Sequence, residues 1–219
     1  VVAICTVNRD GQRAAGLFVD RFERSDEAVR EKLLPALGRI GGPEALAVVD
    51  GLVADPGSRS FGLRALTRWP DATVASRLLD LHAKATDPAE KEQLLGALIR
   101  IAPLPDNKLD DRQKLELLKK TMALCGSDAE RARVLERANA IRTVETFRFL
   151  LPYLDDQALA EPACLSIVEL AHHQKLRDAH KPEFTQALDK VIATTKNPEL
   201  VERANRYKEG KTWDRAKKS

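Results

Sequence analysis

The chain has 219 residues, of which 43% are hydrophobic, 32% charged and only 5% aromatic, and its formal net charge is +3. No run of about 18 apolar residues occurs, which excludes a helix that spans a membrane. Residues 203–219 hold Arg203, Arg206, Lys208, Lys211, Arg215, Lys217 and Lys218 against Glu209 and Asp214, so the first 202 residues carry −2 and offer no strongly basic face for phosphates.

The chain opens on Val1-Val2-Ala3-Ile4-Cys5, already inside an apolar helical pattern and with no Met, basic segment or cleavage pattern before it. It therefore reads as a piece of a longer protein. The periodicity predicts helical hairpins, each an outer helix A and an inner helix B. The first runs from Val1 to Asn8 and from Gln12 to Glu23, turning at Asp10-Gly11. Its Ala15, Phe18, Val19 and Phe22 follow i, i+3, i+4, i+7 spacing. The second runs from Asp26 to Ile40 and from Pro43 to Ala54, with Asp26 as N-cap, Gly41 after the helix end and Pro43 at the first helical position. The third covers Ser58 to Trp69 and Asp71 to Lys84, with Pro70 at the turn. The fourth starts at Asp87-Pro88, ends its first helix at Ala102, crosses a longer connector from Pro103 to Asn107, and resumes from Asp110 to Leu124.

The fifth hairpin runs from Asp128 to Ile141 and from Val144 to Leu154, and Pro152 predicts a kink or an early end there. Pro35 and Pro162 are placed near the starts of outer helices, where proline is tolerated. The sixth covers Ala158 to His173 and Pro182 to Thr194, and a closing helix runs from Pro198 to Tyr207. Low hydrophobicity and high charge predict no regular structure after Gly210, save for a fold-back through Trp213.

One phrase returns through these hairpins: Leu37-Gly38-Arg39-Ile40-Gly41-Gly42-Pro43, then Leu66-Thr67-Arg68-Trp69-Pro70, then Leu98-Ile99-Arg100-Ile101-Ala102-Pro103, with a weaker copy at Ala138-Asn139-Ala140-Ile141-Arg142. From Ile40 to Trp69, Ile101 and Ile141 the steps are 29, 32 and 40 residues. A hairpin repeated at that period cannot bury its apolar face alone, so the copies are expected to stack into an all-α, right-handed α-solenoid of about six hairpins. The approximate repeats are 1–25, 26–56, 57–86, 87–126, 127–156 and 157–196, then the closing helix 198–207 and a basic tail 208–219.

The stretch from Val29 through Lys32-Leu33-Leu34-Pro35-Ala36-Leu37-Gly38-Arg39-Ile40-Gly41-Gly42-Pro43-Glu44-Ala45 resembles the HEAT-like repeat family, in its short bacterial, phycobilisome-lyase-type class. Residues 179–207 also look like the closing end of HEAT arrays in large exported bacterial proteins. The resemblance implies a curved superhelix of bacterial origin, an extracytoplasmic setting, and a concave surface that binds another protein or another domain of the same chain. It carries no shared catalytic residue and no cofactor. Its rivals are a HEAT-like DNA glycosylase or other nucleic-acid binder, which the near-neutral body disfavours, and a tetrapyrrole lyase or chaperone, which only the family name suggests.

Arg39, Arg68 and Arg100 occupy equivalent positions before three successive turns. Such a row either grips a carboxylate-bearing partner or, with helix physics alone, neutralises each helix's own C-terminus. Phe149 and Tyr153, at i, i+4 off the core stripe, either anchor a partner or pack on the next hairpin. Glu169 and His173 share that spacing too, beside His172 and His180, but a zinc site requires more converging ligands. Asp110-Asp111 and Asp155-Asp156 diverge along a helix and are expected to cap backbone amides rather than act as acid–base pairs. Three cysteines, Cys5, Cys125 and Cys164, stand far apart, with neither metal nor disulfide spacing, and read as small buried hydrophobes. The apolar edge at the N-terminus, lacking an upstream neighbour, is expected to self-associate.

Overall fold

The computed structural model describes residues 11–105 and 108–213, with the first five of these by backbone alone. Helix formation follows the capping residues. Asp26, Asp71, Asp87, Ser127, Thr143 and Asn197 each accept a hydrogen bond from a backbone N–H two or three residues on, and Asp110 does so within a reciprocal box with Gln113. Each such cap contributes about 1 kcal/mol to its helix. Among the described residues the result is all-α, with thirteen α-helices, two 3₁₀ segments and no strand. None of these helices is long and apolar enough to cross a membrane.

The chain divides into two compact units, one up to Leu109 and one from Asp110. The first holds α1 (Gly11–Glu23), α2 (Glu27–Ile40), α3 (Pro43–Ala54), α4 (Arg59–Leu66), a 3₁₀ turn (Ala72–Val74), α5 (Ala75–Lys84) and α6 (Pro88–Ile101). Phe18, Val19 and Phe22 of α1 are buried, and α1 packs on both α2 and α3. Helix α4 lies against α2 and α3, and glycines permit that closeness: a Cβ on Gly38 would stand 2.1 Å from the Ala65 carbonyl oxygen, and one on Gly62 would stand 2.7 Å from the Val53 backbone nitrogen. Gly41 and Gly42 adopt φ of +67° and +89°, which brings Pro43 to the start of α3. The Trp69 of the recurring phrase is fully buried and donates its indole N–H to Thr73 Oγ1 at 3.1 Å.

The second unit holds α7 (Asp111–Leu124), α8 (Asp128–Ala138), α9 (Val144–Leu150), a 3₁₀ segment (Leu151–Asp155), α10 (Ala160–His172), α11 (Gln174–Ala179), α12 (Lys181–Thr194) and α13 (Pro198–Lys208). Helix α10 is its centre and packs on α8, α9, α12 and α13. Phe147 stacks on Phe184 with ring centroids 4.0 Å apart, and both rings are fully buried.

Several boundaries differ from the sequence reading. The outer helix of the fifth hairpin stops at Ala138, not Ile141, and the inner helix of the third begins as a 3₁₀ turn rather than at Asp71. Pro152 converts the end of the fifth inner helix to 3₁₀ geometry, the early end its missing N–H dictates. Pro35 stands in the body of α2, not near its start, and the helix continues through it with the ring exposed. Between His173 and Pro182, where the sequence reading leaves no helix, the chain forms the short helix α11. The expected helix from Val1 to Asn8, its sticky edge, Cys5 and the tail beyond Trp213 lie outside the described residues.

Candidate functional site

Many polar links between the helices span 27–35 positions along the chain. In the first unit Arg77 pairs with Asp50 across 27 positions, and Arg59 pairs with Glu90 across 31 at 2.6 Å. Arg100 donates to the carbonyls of Thr67 at 3.0 Å and Trp69 at 2.6 Å, spans of 33 and 31. In the second, Ser166 donates to Leu135 O at 2.6 Å across 31, and Glu161 accepts from Thr195 Oγ1 at 2.7 Å across 34 and from the Lys196 amide at 2.6 Å across 35. Arg148 grips Glu183 with two bonds of 2.8 Å, again 35 positions apart. These links join helices, or the turns beside them, that lie about one such interval apart in the chain.

The three equivalent arginines do not share one environment. Arg39 and Arg68 are exposed, whereas Arg100 is half-buried and its guanidinium serves the turn of the preceding hairpin. Its acceptors are therefore carbonyls one repeat back, rather than those of its own helix end. Phe149 and Tyr153 meet edge to face, with centroids 5.6 Å apart, and both are half-buried on the short helix and 3₁₀ segment that Thr143 caps and Pro152 bends. Burial raises the Tyr153 phenol above its ordinary range, so the hydroxyl remains a hydrogen-bond donor throughout neutral pH.

The histidine-rich end is organised around Tyr207, not around a converging ligand set. His172 Nδ1 lies 3.0 Å from the Tyr207 hydroxyl, and Glu169 pairs with the buried Arg203 at 2.8 Å. Burial, followed by the charge of Arg142, lowers the His173 imidazole and favours its neutral form. Among the described residues no group of three or more His, Cys, Asp or Glu side chains is placed to hold a metal. Asp110 caps α7, Asp156 accepts from the amides of Ala158 and Leu159, and their partners Asp111 and Asp155 pair with Lys114 and Lys190. Cys125 and Cys164 are buried, and desolvation pushes their thiols up to about 11 and about 12, so neither is a ready nucleophile at neutral pH.

Sequence reasoning missed Arg203, which is 4% exposed, and Arg177, at 3%. For Arg203 the signal was present: Leu200, Arg203, Ala204 and Tyr207 follow the i, i+3, i+4, i+7 core spacing, with Arg203 inside the stripe. A concave feature of about 370 Å³ lies in the first unit, lined by Phe22, Leu34, Leu52 and Phe61 together with Glu27, Arg30 and Glu31. Comparison with models of protein families, with curated proteins and with solved structures finds no match.

Proposed function

We propose that this chain is a non-catalytic scaffold: a HEAT-like, right-handed α-solenoid of about six hairpins that holds a protein partner or another domain of its own chain. The interval of 27–35 residues in most of the inter-helix polar links carries this reading. A chain whose helices are tied mainly to the preceding and following repeat is wired as a quasi-one-dimensional array, and such arrays use their length as a binding surface. The chemistry of the side chains supports a structural role. Arginines and carboxylates between helices are committed to one another, the paired aspartates cap and cross-link, and the described thiols are insulated. Phe149 and Tyr153, half-buried and already in mutual contact, are the proposed anchor, with Arg39 and Arg68 as exposed cations for an acidic partner.

Small-angle scattering tests the architecture. A compact globule of this length has a radius of gyration of about 17 Å; the array should exceed it clearly, and a value at 17 Å would overturn the solenoid. Peptide-display selection on the full chain tests binding. Enriched segments should lose at least about tenfold in affinity when Phe149 and Tyr153 are both replaced by Ala, which corresponds to about 1.4 kcal/mol. Tight, steeply salt-dependent capture of DNA in place of peptides would favour the nucleic-acid alternative.

A further inference from the structure

Where α10 ends at His172, the six-residue helix α11 turns Arg177 inward before Lys181 opens α12. The guanidinium is 3% exposed: Nη1 donates to the Ala171 carbonyl at 2.7 Å, Nε lies 3.5 Å from Asp178 Oδ1, and the guanidinium carbon stands 5.4 Å over the Tyr207 ring. The remaining nitrogen, Nη2, is buried without a hydrogen-bond partner. A charged donor in that state is an expensive arrangement that a bound acceptor relieves.

Arg177 also lines a cavity of about 320 Å³. Its other polar lining groups are Asp178, Lys181, Thr185 and Lys208, so cations outnumber carboxylates three to one. Two of these are already engaged, since Lys208 pairs with Asp189 and the Thr185 hydroxyl donates to the Lys181 carbonyl at 2.8 Å. Left without a hydrogen-bond partner are Nη2 of Arg177, a buried atom of a side chain that lines the cavity, and the ammonium of the exposed Lys181. The rest of the wall is apolar, with Phe184, Leu188 and the face of Tyr207. Tyr207 is held rigidly there: its hydroxyl meets His172 at 3.0 Å, and Arg203, itself tied to Glu169, stands 5.9 Å from its ring.

We propose that this cavity binds a monocarboxylate carried on an apolar body. One carboxylate oxygen takes the Lys181 ammonium and the other meets the unpartnered Arg177 Nη2, while the body lies on Phe184, Leu188 and Tyr207. Phosphate, with more oxygens and no apolar part, would leave acceptors unmet and the wall bare. The same chemistry arises from a small free acid or from the C-terminus of a peptide ending in an apolar residue.

Calorimetry and ¹H–¹⁵N NMR on the full chain distinguish these sources with four probes: 3-phenylpropionate, its amide, a short peptide ending in Gly-Gly-Leu with a free C-terminus, and the same peptide amidated. At least one acid should bind, with its amide weaker by tenfold or more, and whichever acid binds identifies the source. Lys181→Ala, at an exposed position, should keep the helical signal and weaken binding at least fivefold, and Arg177→Lys should weaken it further. The proposal fails if neither acid binds below about 10 mM, if an amide or inorganic phosphate binds as well as the acids, or if Lys181→Ala changes nothing. Such a failure leaves the scaffold reading intact, because that reading rests on the inter-helix links and not on this cavity.

Discussion

Gly38→Ala and Gly51→Ala are the same chemical change in neighbouring helices, and the structure gives them opposite signs. Gly51 has nothing within 4 Å of a built Cβ, so alanine there brings only its helix preference, a gain of about 0.5–1 kcal/mol. At Gly38 the new methyl would stand 2.1 Å from the Ala65 carbonyl oxygen and 3.0 Å from its Cα. Ordinary contacts begin near 3.4 Å, so α2 and α4 must separate by about 1 Å through a packed interface. Overpacking costs about 1–3 kcal/mol, and an obstacle made of backbone puts this site at the upper end. With the propensity gain subtracted, Gly38→Ala should destabilise by about 2 kcal/mol, some 3 kcal/mol below Gly51→Ala. Urea unfolding followed by circular dichroism and by the fluorescence of the buried Trp69 measures both. A Gly38→Ala midpoint at or above that of the unaltered chain would refute the close helix crossing.

Removing the Arg100 guanidinium with Arg100→Ala should cost about 2–3 kcal/mol, the value of charge-assisted bonds to the two turn carbonyls it now serves, read as a lower urea midpoint. Glu169→Gln weakens the ion pair of a nearly fully buried arginine; Glu199, with a carboxylate oxygen 3.8 Å from Arg203, partly compensates, so the loss should be about 2–3 kcal/mol rather than the full cost of an isolated charge. In a Cys5→Ala background, Cys125 and Cys164 should resist Ellman's reagent at pH 8 and react at once in urea; equal rates in both conditions would contradict their burial. Their folded values lie above the ordinary value of 9.0, so the stability they confer is complete below pH 9 and drains away as pH rises towards 11 and 12, where the unfolded chain ionises first. Cys164→Ala should flatten that alkaline decline in a series of urea midpoints.

Much of the helical order was legible because the signals that set it are local. Asp26, Asp87, Asp110 and Asn197 each satisfy an amide within three residues, and Pro43, Pro88 and Pro198 mark first turns, so those starts can be found without knowledge of packing. Helix α11 was missed for the opposite reason: Gln174–Ala179 is short and polar, and it is held by the burial of Arg177, a contact with residues of α10 and α13 that no periodicity records. The divergence among Arg39, Arg68 and Arg100 was equally hidden. Three residues at one position of a recurring phrase differ in environment because their acceptors, or lack of them, are set by the preceding hairpin. Arg203 was hidden only by convention, since a cation inside an apolar stripe is ordinarily assigned to solvent.

The long span of most cross-helix bonds, 27–35 positions, bears on how such a chain tolerates change in length. A bond between residues 31 or 35 apart survives any insertion outside that window, and a duplicated block of the same size brings its own donor and acceptor with it. One added residue within a helix, by contrast, rotates all that follows by about 100° and separates each pair it lies between. Single-residue changes in length are therefore expected to be absorbed in the connectors rather than within the helices.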